Sequence, residues 1–180
     1  VTDASYLKHC LLVGCGNCLD KQIKFPGSPE DDFSEDLLVT LDVDPDLKPD
    51  IVHDLNVLPY PLGDNEYDEI HAYEVLEHTG TQGDGEFFFA QFAEFYQALK
   101  PHGFMMITVP MWNHEVALGV PDHKRVFPKG VFSFLNPEYY KNVGKPRYGD
   151  YRKLLGDVDF RCVGVDETEE CLRIVLQAIK

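Results

Sequence analysis

The strongest constraint on the fold is a series of short apolar runs, most of which stop at a glycine or a carboxylate. His9 to Val13 runs into Gly14-Cys15-Gly16, and Leu37 to Leu41 runs into Asp42. Asp50 to His53 ends at Asp54, and Tyr67 to Tyr73 ends at Glu74. Phe104 to Val109 is stopped by Pro110. Runs this short and this apolar predict strands covered on both faces, as a parallel sheet requires. Between the fourth and fifth runs, Phe88, Phe89, Phe92, Phe95, Tyr96 and Leu99 recur at helical spacing. That spacing predicts a helix over 86–99 whose aromatic stripe is core, ended by Lys100-Pro101-His102-Gly103. Strand and helix in alternation imply an α/β fold, with a mostly parallel central sheet and helices on both faces.

Other segments qualify this plan. Pro26, Gly27 and Pro29 forbid a long first crossover helix, so residues 24–36 are expected to form a short helix or an irregular acidic loop. Pro137-Glu138-Tyr139-Tyr140 suits the first turn of a helix. Near the end, Phe160, Cys162 and Gly164 face one way, Asp166 to Glu170 forms a polar turn, and a longer apolar run covers Leu172 to Ile179. This predicts a C-terminal antiparallel hairpin closing the sheet, with Cys162 and Cys171 facing each other as small buried residues. With 180 residues and no separating linker, a single domain over 1–180 is expected, with 120–155 as its substrate-side segment.

The net charge of −15 is unevenly placed: residues 1–120 hold 5 Lys and Arg against 22 Asp and Glu, whereas 121–153 hold 8 against 3. Overall the field repels nucleic acid and anionic membrane. The basic segment is either a solvated face or a surface for an anionic ligand. No run approaches the roughly 20 apolar residues of a membrane span, and Val1-Thr2-Asp3-Ala4-Ser5 lacks the order of a signal peptide. Five cysteines, an odd number, argue for thiols in a reducing compartment rather than a disulfide framework. A cytoplasmic protein is expected, and a homodimer is left open.

The carboxyl edge of a parallel sheet is where ligands bind, and four signals fall there. Gly14-Cys15-Gly16 permits a tight turn and a close approach of backbone to ligand. Asp42 can accept bonds from both hydroxyls of a ribose, while Asp44 is placed to cap the turn before Pro45. Asp54 can take a bond from an adenine amino group, or can cap Asn56. In Glu74-Val75-Leu76-Glu77-His78, His78 is a candidate general base, although Glu77 and His78 can equally cap a following helix. Cys15-x-x-Cys18, with His9 and Cys10 nearby, offers a zinc alternative, but no second ligand pair accompanies it and no metal is expected. Trp112, His123 and Arg125 lie past the fifth strand as candidate substrate contacts, with Trp112 as a packing plug or an Asp122–Arg125 pair as the structural alternatives.

The order of these signals resembles the class I S-adenosylmethionine (SAM) dependent methyltransferase family. The matching stretches are Leu11-Leu12-Val13-Gly14-Cys15-Gly16-Asn17, Leu41-Asp42-Val43-Asp44, Asp50-Ile51-Val52-His53-Asp54-Leu55, Leu58-Pro59-Tyr60, Tyr67-Asp68-Glu69-Ile70, Glu74-Val75-Leu76-Glu77-His78, Ala98-Leu99-Lys100-Pro101-His102-Gly103 and Ile107-Thr108-Val109-Pro110. The short form, with its acidic crossover segment, looks similar to methyltransferases of tailed phages. The resemblance implies a Rossmann-like methyltransferase fold with SAM as cofactor. It places the methionine part of SAM at Gly14, Cys15 and Gly16, the ribose at Asp42 with Val43 beside it, and the adenine at Asp54 and Leu55. Glu74 and His78 then fall at the methyl-transfer pocket.

Two departures from the family pattern matter. Leu12 stands where an acid often precedes the first glycine, and Cys18 replaces the third glycine. A nicotinamide enzyme would need a glycine where Leu19 stands. The turn of the amino-methylating DNA enzymes and the Pro-Cys nucleophile of the cytosine C5 enzymes are both missing, which disfavours a DNA substrate. The expected function is methyl transfer from SAM to a small-molecule acceptor, and an inactive methyltransferase-like module is the alternative.

Overall fold

A computed structural model describes residues 8–23, 33 and 37–180. Seven strands form one sheet: β1 (His9–Val13), β2 (Leu37–Asp42), β3 (Ile51–Val52), β4 (Tyr67–Tyr73), β5 (Leu99–Pro110), β6 (Phe160–Glu167) and β7 (Cys171–Ala178). Their order is β3-β2-β1-β4-β5-β7-β6. The first five strands run parallel, and β7 inserts antiparallel between β5 and β6. The chain steps outward from β1 through β2 to β3, then restarts at β4 and steps the other way. The reversal opens a crevice beyond the carboxyl ends of β1 and β4.

Side-chain alternation in β1 shows how the two faces are filled. Leu11 and Val13 join the larger core with Phe92, Phe95, Phe132 and Phe160. Cys10 and Leu12 point the other way, to Ile23, Phe33, Tyr73 and Met106. The larger core lies under α1 (Gly85–Ala98), whose first turn is capped by Asp84 accepting from the Phe87 N–H at 2.9 Å. Phe88, Phe89, Phe92, Phe95 and Tyr96 are its buried stripe, as the periodicity predicts. On the opposite face most of the expected acidic crossover, 24–36, lies outside the described residues; only Phe33 is seen, and it is buried.

The expected break at Lys100 to Gly103 is a bulge within a strand. Tyr67 pairs with Leu99 and Glu69 with Phe104, so β5 carries the extra residues and His102 takes a positive φ. Pro137 does open a helical turn, a 3-10 turn over Pro137–Asn142 capped by Asn136. The hairpin forms as expected, but Cys162 and Cys171 do not face each other. Cys162 pairs with Leu176 and Cys171 with Pro110, because the turn at 168–170 sets the register and β6 slips between Cys162 and Gly164. Cys162 is exposed in consequence.

Phe92 is fully buried and packs ring to ring with Phe88, Phe95, Phe132 and Phe160. Phe92→Ala should lower unfolding stability by about 3–5 kcal/mol, read as a lower midpoint in urea with an unchanged slope.

Candidate functional site

Gly14 closes β1 with φ +62°, and an added Cβ would lie 2.3 Å from Val75 Cγ2. The loops after β1 and β4 therefore meet at a point where only glycine fits. Gly16 also has a positive φ, and nothing lies near its missing Cβ. Asp42 ties this loop to the end of β2: one oxygen accepts from the Gly16 N–H at 2.9 Å, the other from the Asp44 N–H at 3.0 Å. Asp44 caps the following turn through the Asp46 N–H, as expected.

A cavity of about 450 Å³ opens beyond these loops, inside the range of roughly 300–1,000 Å³ typical of small-molecule sites. Gly14, Asp42, Val43, Asp54, Leu55, Glu74 and His78 all line it. Asp42, Asp54, Glu74 and Asp122 give it four carboxylates, and none of its described lining residues is Lys or Arg. Asp54 also caps Asn56 through one oxygen, at 2.8 Å to N–H and 2.7 Å to the side-chain amide. These bonds hold its pKa below the usual carboxylate value. Leu55 is buried and anchored in the core.

After β4 the backbone bends through Glu74 at φ +48°, an uncommon conformation for a residue with a side chain. The Glu74 N–H is held by Thr108, and its carboxylate accepts from Cys171 Sγ at 3.5 Å. A 3-10 turn follows over Leu76–His78. Neither Glu77 nor His78 caps α1, since Asp84 does so. Instead His78 Nδ1 lies 3.0 Å from Asp122 Oδ2, a carboxylate that orients the ring at the cavity wall. The expected Asp122–Arg125 alternative gives way to this pair.

Glu77 is a residue whose importance was not legible in the sequence. Its side chain is 2% exposed, and neither carboxyl oxygen has a hydrogen-bond partner among the described residues. Burial, reinforced by Glu74, pushes its pKa up to about 8.

Arg125, expected to touch substrate, is placed elsewhere. It is buried, donating to the Leu76 carbonyl at 3.2 Å, to Thr79 Oγ1 at 2.6 Å and to Gln91 Oε1. Its guanidinium lies over the Phe127 ring at 4.6 Å. A cation walled in by α1 and the turn after β4 acts as a clamp, and burial lowers its pKa to about 10. Trp112 is 54% exposed and does not line the cavity. His123 is not in the lining either, but its ring packs against His78 with centroids 4.7 Å apart. Cys15 turns to the second face of the sheet. Cys15 and Cys18 belong to neither group of clustered metal-ligating side chains among the described residues.

No protein-family model matches the chain, and no curated protein does. Solved structures match nearly its whole length. A chain of the complex between the Haloferax volcanii Trm112 methyltransferase activator and a putative methyltransferase aligns at TM-score 0.58 and 13% identity, over 98% of this chain and 87% of that one. The N-methyltransferase NodS from Bradyrhizobium japonicum WM9, in complex with S-adenosyl-L-homocysteine, aligns at 0.55 and 14%, over 97% and 79%. The [4+2]-cyclase SpnF aligns at 0.56 and 12%, over 96% and 76%.

The fold is that of the class I SAM-dependent methyltransferases. At these identities the likeness fixes architecture only, and the cyclase demonstrates that one architecture serves more than one reaction. Among the described residues, no helix is long and apolar enough to cross a membrane.

Gly14→Ala should cost at least about 2 kcal/mol, since a left-handed alanine alone costs about 1–2 and overpacking adds to it. In a Val75→Ala background the same change should cost less, and a double-mutant cycle in urea reads the difference.

Proposed function

We propose that the protein is a SAM-dependent methyltransferase that holds SAM in the cavity beyond β1 and β4 and methylates a small-molecule acceptor. The observation that carries this reading is the convergence of Gly14, Asp42 and Asp54, from three separate strand ends, on one acidic cavity. The residues present suit the cofactor. SAM is cationic at sulfur, and the cavity offers four carboxylates. A nicotinamide dinucleotide would bring its pyrophosphate against the same four charges.

When bound, SAM supplies an activated methyl group on a sulfonium centre. The chain's own task is then to bind, orient and keep dry. Each Asp42 oxygen accepts one backbone N–H and keeps a second lone pair, so the carboxylate can take ribose hydroxyls without releasing the glycine loop. Asp54 bonds Asn56 through one oxygen only, so its second oxygen would hold the adenine amino group, with Leu55 packing the ring and Val43 beside the ribose. Gly14 and Gly16 admit the methionine part. Positioning of this kind can supply about 7–11 kcal/mol of the barrier. His78, oriented by Asp122, would take a proton from an acceptor that must lose one, and Glu74 stands at the start of the same loop after β4. Of the expected substrate contacts, His123 acts through His78 and Trp112 is at the surface, while Arg125 is structural.

A specific observation keeps a second reading in view, that of a module that does not transfer methyl groups. At the place of the acid that would hold the amino end of SAM stands Leu12, buried in the second core.

Calorimetry should detect SAM and S-adenosylhomocysteine but not NAD. Asp42→Ala should weaken SAM binding at least about tenfold, a loss of about 1.4 kcal/mol or more. Unchanged affinity in a folded variant rejects the ribose assignment. Formation of S-adenosylhomocysteine over a pool of cell metabolites separates the enzyme from the inactive module.

A further inference from the structure

Beside the cavity, Glu77, His78 and His123 each offer a ligand atom, and the three atoms lie within 4.8 Å of one another. Every second contact in this group leaves it ready to accept a cation. His123 Nδ1 is 3.1 Å from the Ala117 carbonyl, which can only accept, so that nitrogen carries the proton and Nε2 keeps its lone pair. His78 is held the same way, with Nδ1 on the Asp122 carboxylate and Nε2 turned toward Glu77 Oε1 at 4.0 Å. A backbone carbonyl on one imidazole and a carboxylate on the other are the outer contacts that metal-bound histidines use to fix tautomer and ring angle. The third member is a carboxyl with two buried oxygens and no hydrogen-bond partner among the described residues. Such a group keeps a proton unless a cation takes its place. Arg125, the nearby cation, turns its Nε and Nη2 donors to Leu76, Thr79 and Gln91 and makes no hydrogen bond to the Glu77 carboxyl.

We infer that Glu77, His78 and His123 form a binding site for a first-row divalent transition metal at the edge of the cavity. Two imidazoles and one carboxylate suit zinc, cobalt or iron better than magnesium or calcium, which prefer all-oxygen sets. Ligand bonds of about 2.0–2.2 Å require the three donors to close by roughly 1 Å, a movement open to the half-exposed His78 ring. Three protein ligands on one side leave the remaining coordination positions open. His78, Thr79 and Asp122 line the cavity, so those positions lie beside it.

The site does not depend on the methyl-transfer reading, although a metal on Nε2 would replace the general-base role of His78, and its test omits SAM. The purified chain is stripped with chelator and titrated with Co²⁺, then Zn²⁺. Visible d–d bands should appear with one equivalent of Co²⁺ and be displaced by Zn²⁺, and Zn²⁺ should raise the thermal midpoint. Glu77→Gln keeps the shape and burial of the side chain, so it should fold. It should weaken metal binding at least about tenfold, since loss of even an outer contact costs about 10–100-fold. His123→Ala should do the same, whereas Cys18→Ser, which removes an exposed thiol, should change nothing. Absence of bands and of any midpoint shift overturns the assignment. So does metal bound equally well by Glu77→Gln, or metal lost on Cys18→Ser.

Discussion

The site rests on one steric constraint, the contact between Gly14 and Val75. Parallel strands β1 and β4 lie side by side at the point where strand order reverses, and their loops must leave the sheet without colliding. Val75 occupies the volume where a Cβ on residue 14 would sit. Glycine therefore does two things at once: it permits the left-handed turn and makes room for the opposing loop. With the two loops interlocked, the chain after β1 is carried over the end of β2, where Asp42 catches Gly16. The chain after β4 is carried to the 3-10 turn that presents Glu77 and His78.

A second, polar device fixes what the steric one leaves free. Arg125 joins the turn after β4, the helix α1 and the segment past β5 in one buried network, which continues through Gln91 to Tyr60 and from Tyr60 to the Leu55 carbonyl. Leu55 lines the cavity, so the clamp reaches from one wall of the site to the other. Because 122–125 is anchored by Arg125, Asp122 and His123 arrive beside His78 although they are more than forty residues away in the chain. An unpaired cation would be costly here. It is tolerated because carbonyl, hydroxyl and amide oxygens satisfy it and two aromatic faces lie against it.

This explains which parts were legible in the sequence. Strands β1, β2 and β4 and helix α1 announce themselves, because burial imposes apolar runs and helical spacing on them. The acids at Asp42 and Asp54 are legible because sheet topology brings strand ends together whatever their sequence separation. What could not be read are consequences of long-range placement. Arg125 looks like a surface base in a basic segment, and nothing local says that Gln91, a polar residue in an apolar stripe, waits for it. That lone buried glutamine was the available signal. Glu77 likewise resembles a helix cap until the structure shows Asp84 doing that work. The hairpin was legible, but not its register, because β6 slips by a bulge.

The acidity of the cavity unites the two functional readings. Four carboxylates around a recess of this size set up a field that favours cations and disfavours phosphates. A sulfonium and a divalent metal would both answer to that field. Asp42 and Asp54 stand at the ends of β2 and β3, and under the proposed reading they would hold the ribose and the base. The Glu77–His78–His123 group is built on the turn that follows β4 and on the segment past β5. Glu74 and Asp122 line the same cavity, with Asp122 in contact with His78. The two proposed sites thus use different residues, Asp42 and Asp54 for a cationic nucleoside and Glu77, His78 and His123 for a metal. Both occupants would add positive charge to one recess, and its four lining carboxylates, joined by Glu77 once a metal displaces its proton, offset that charge.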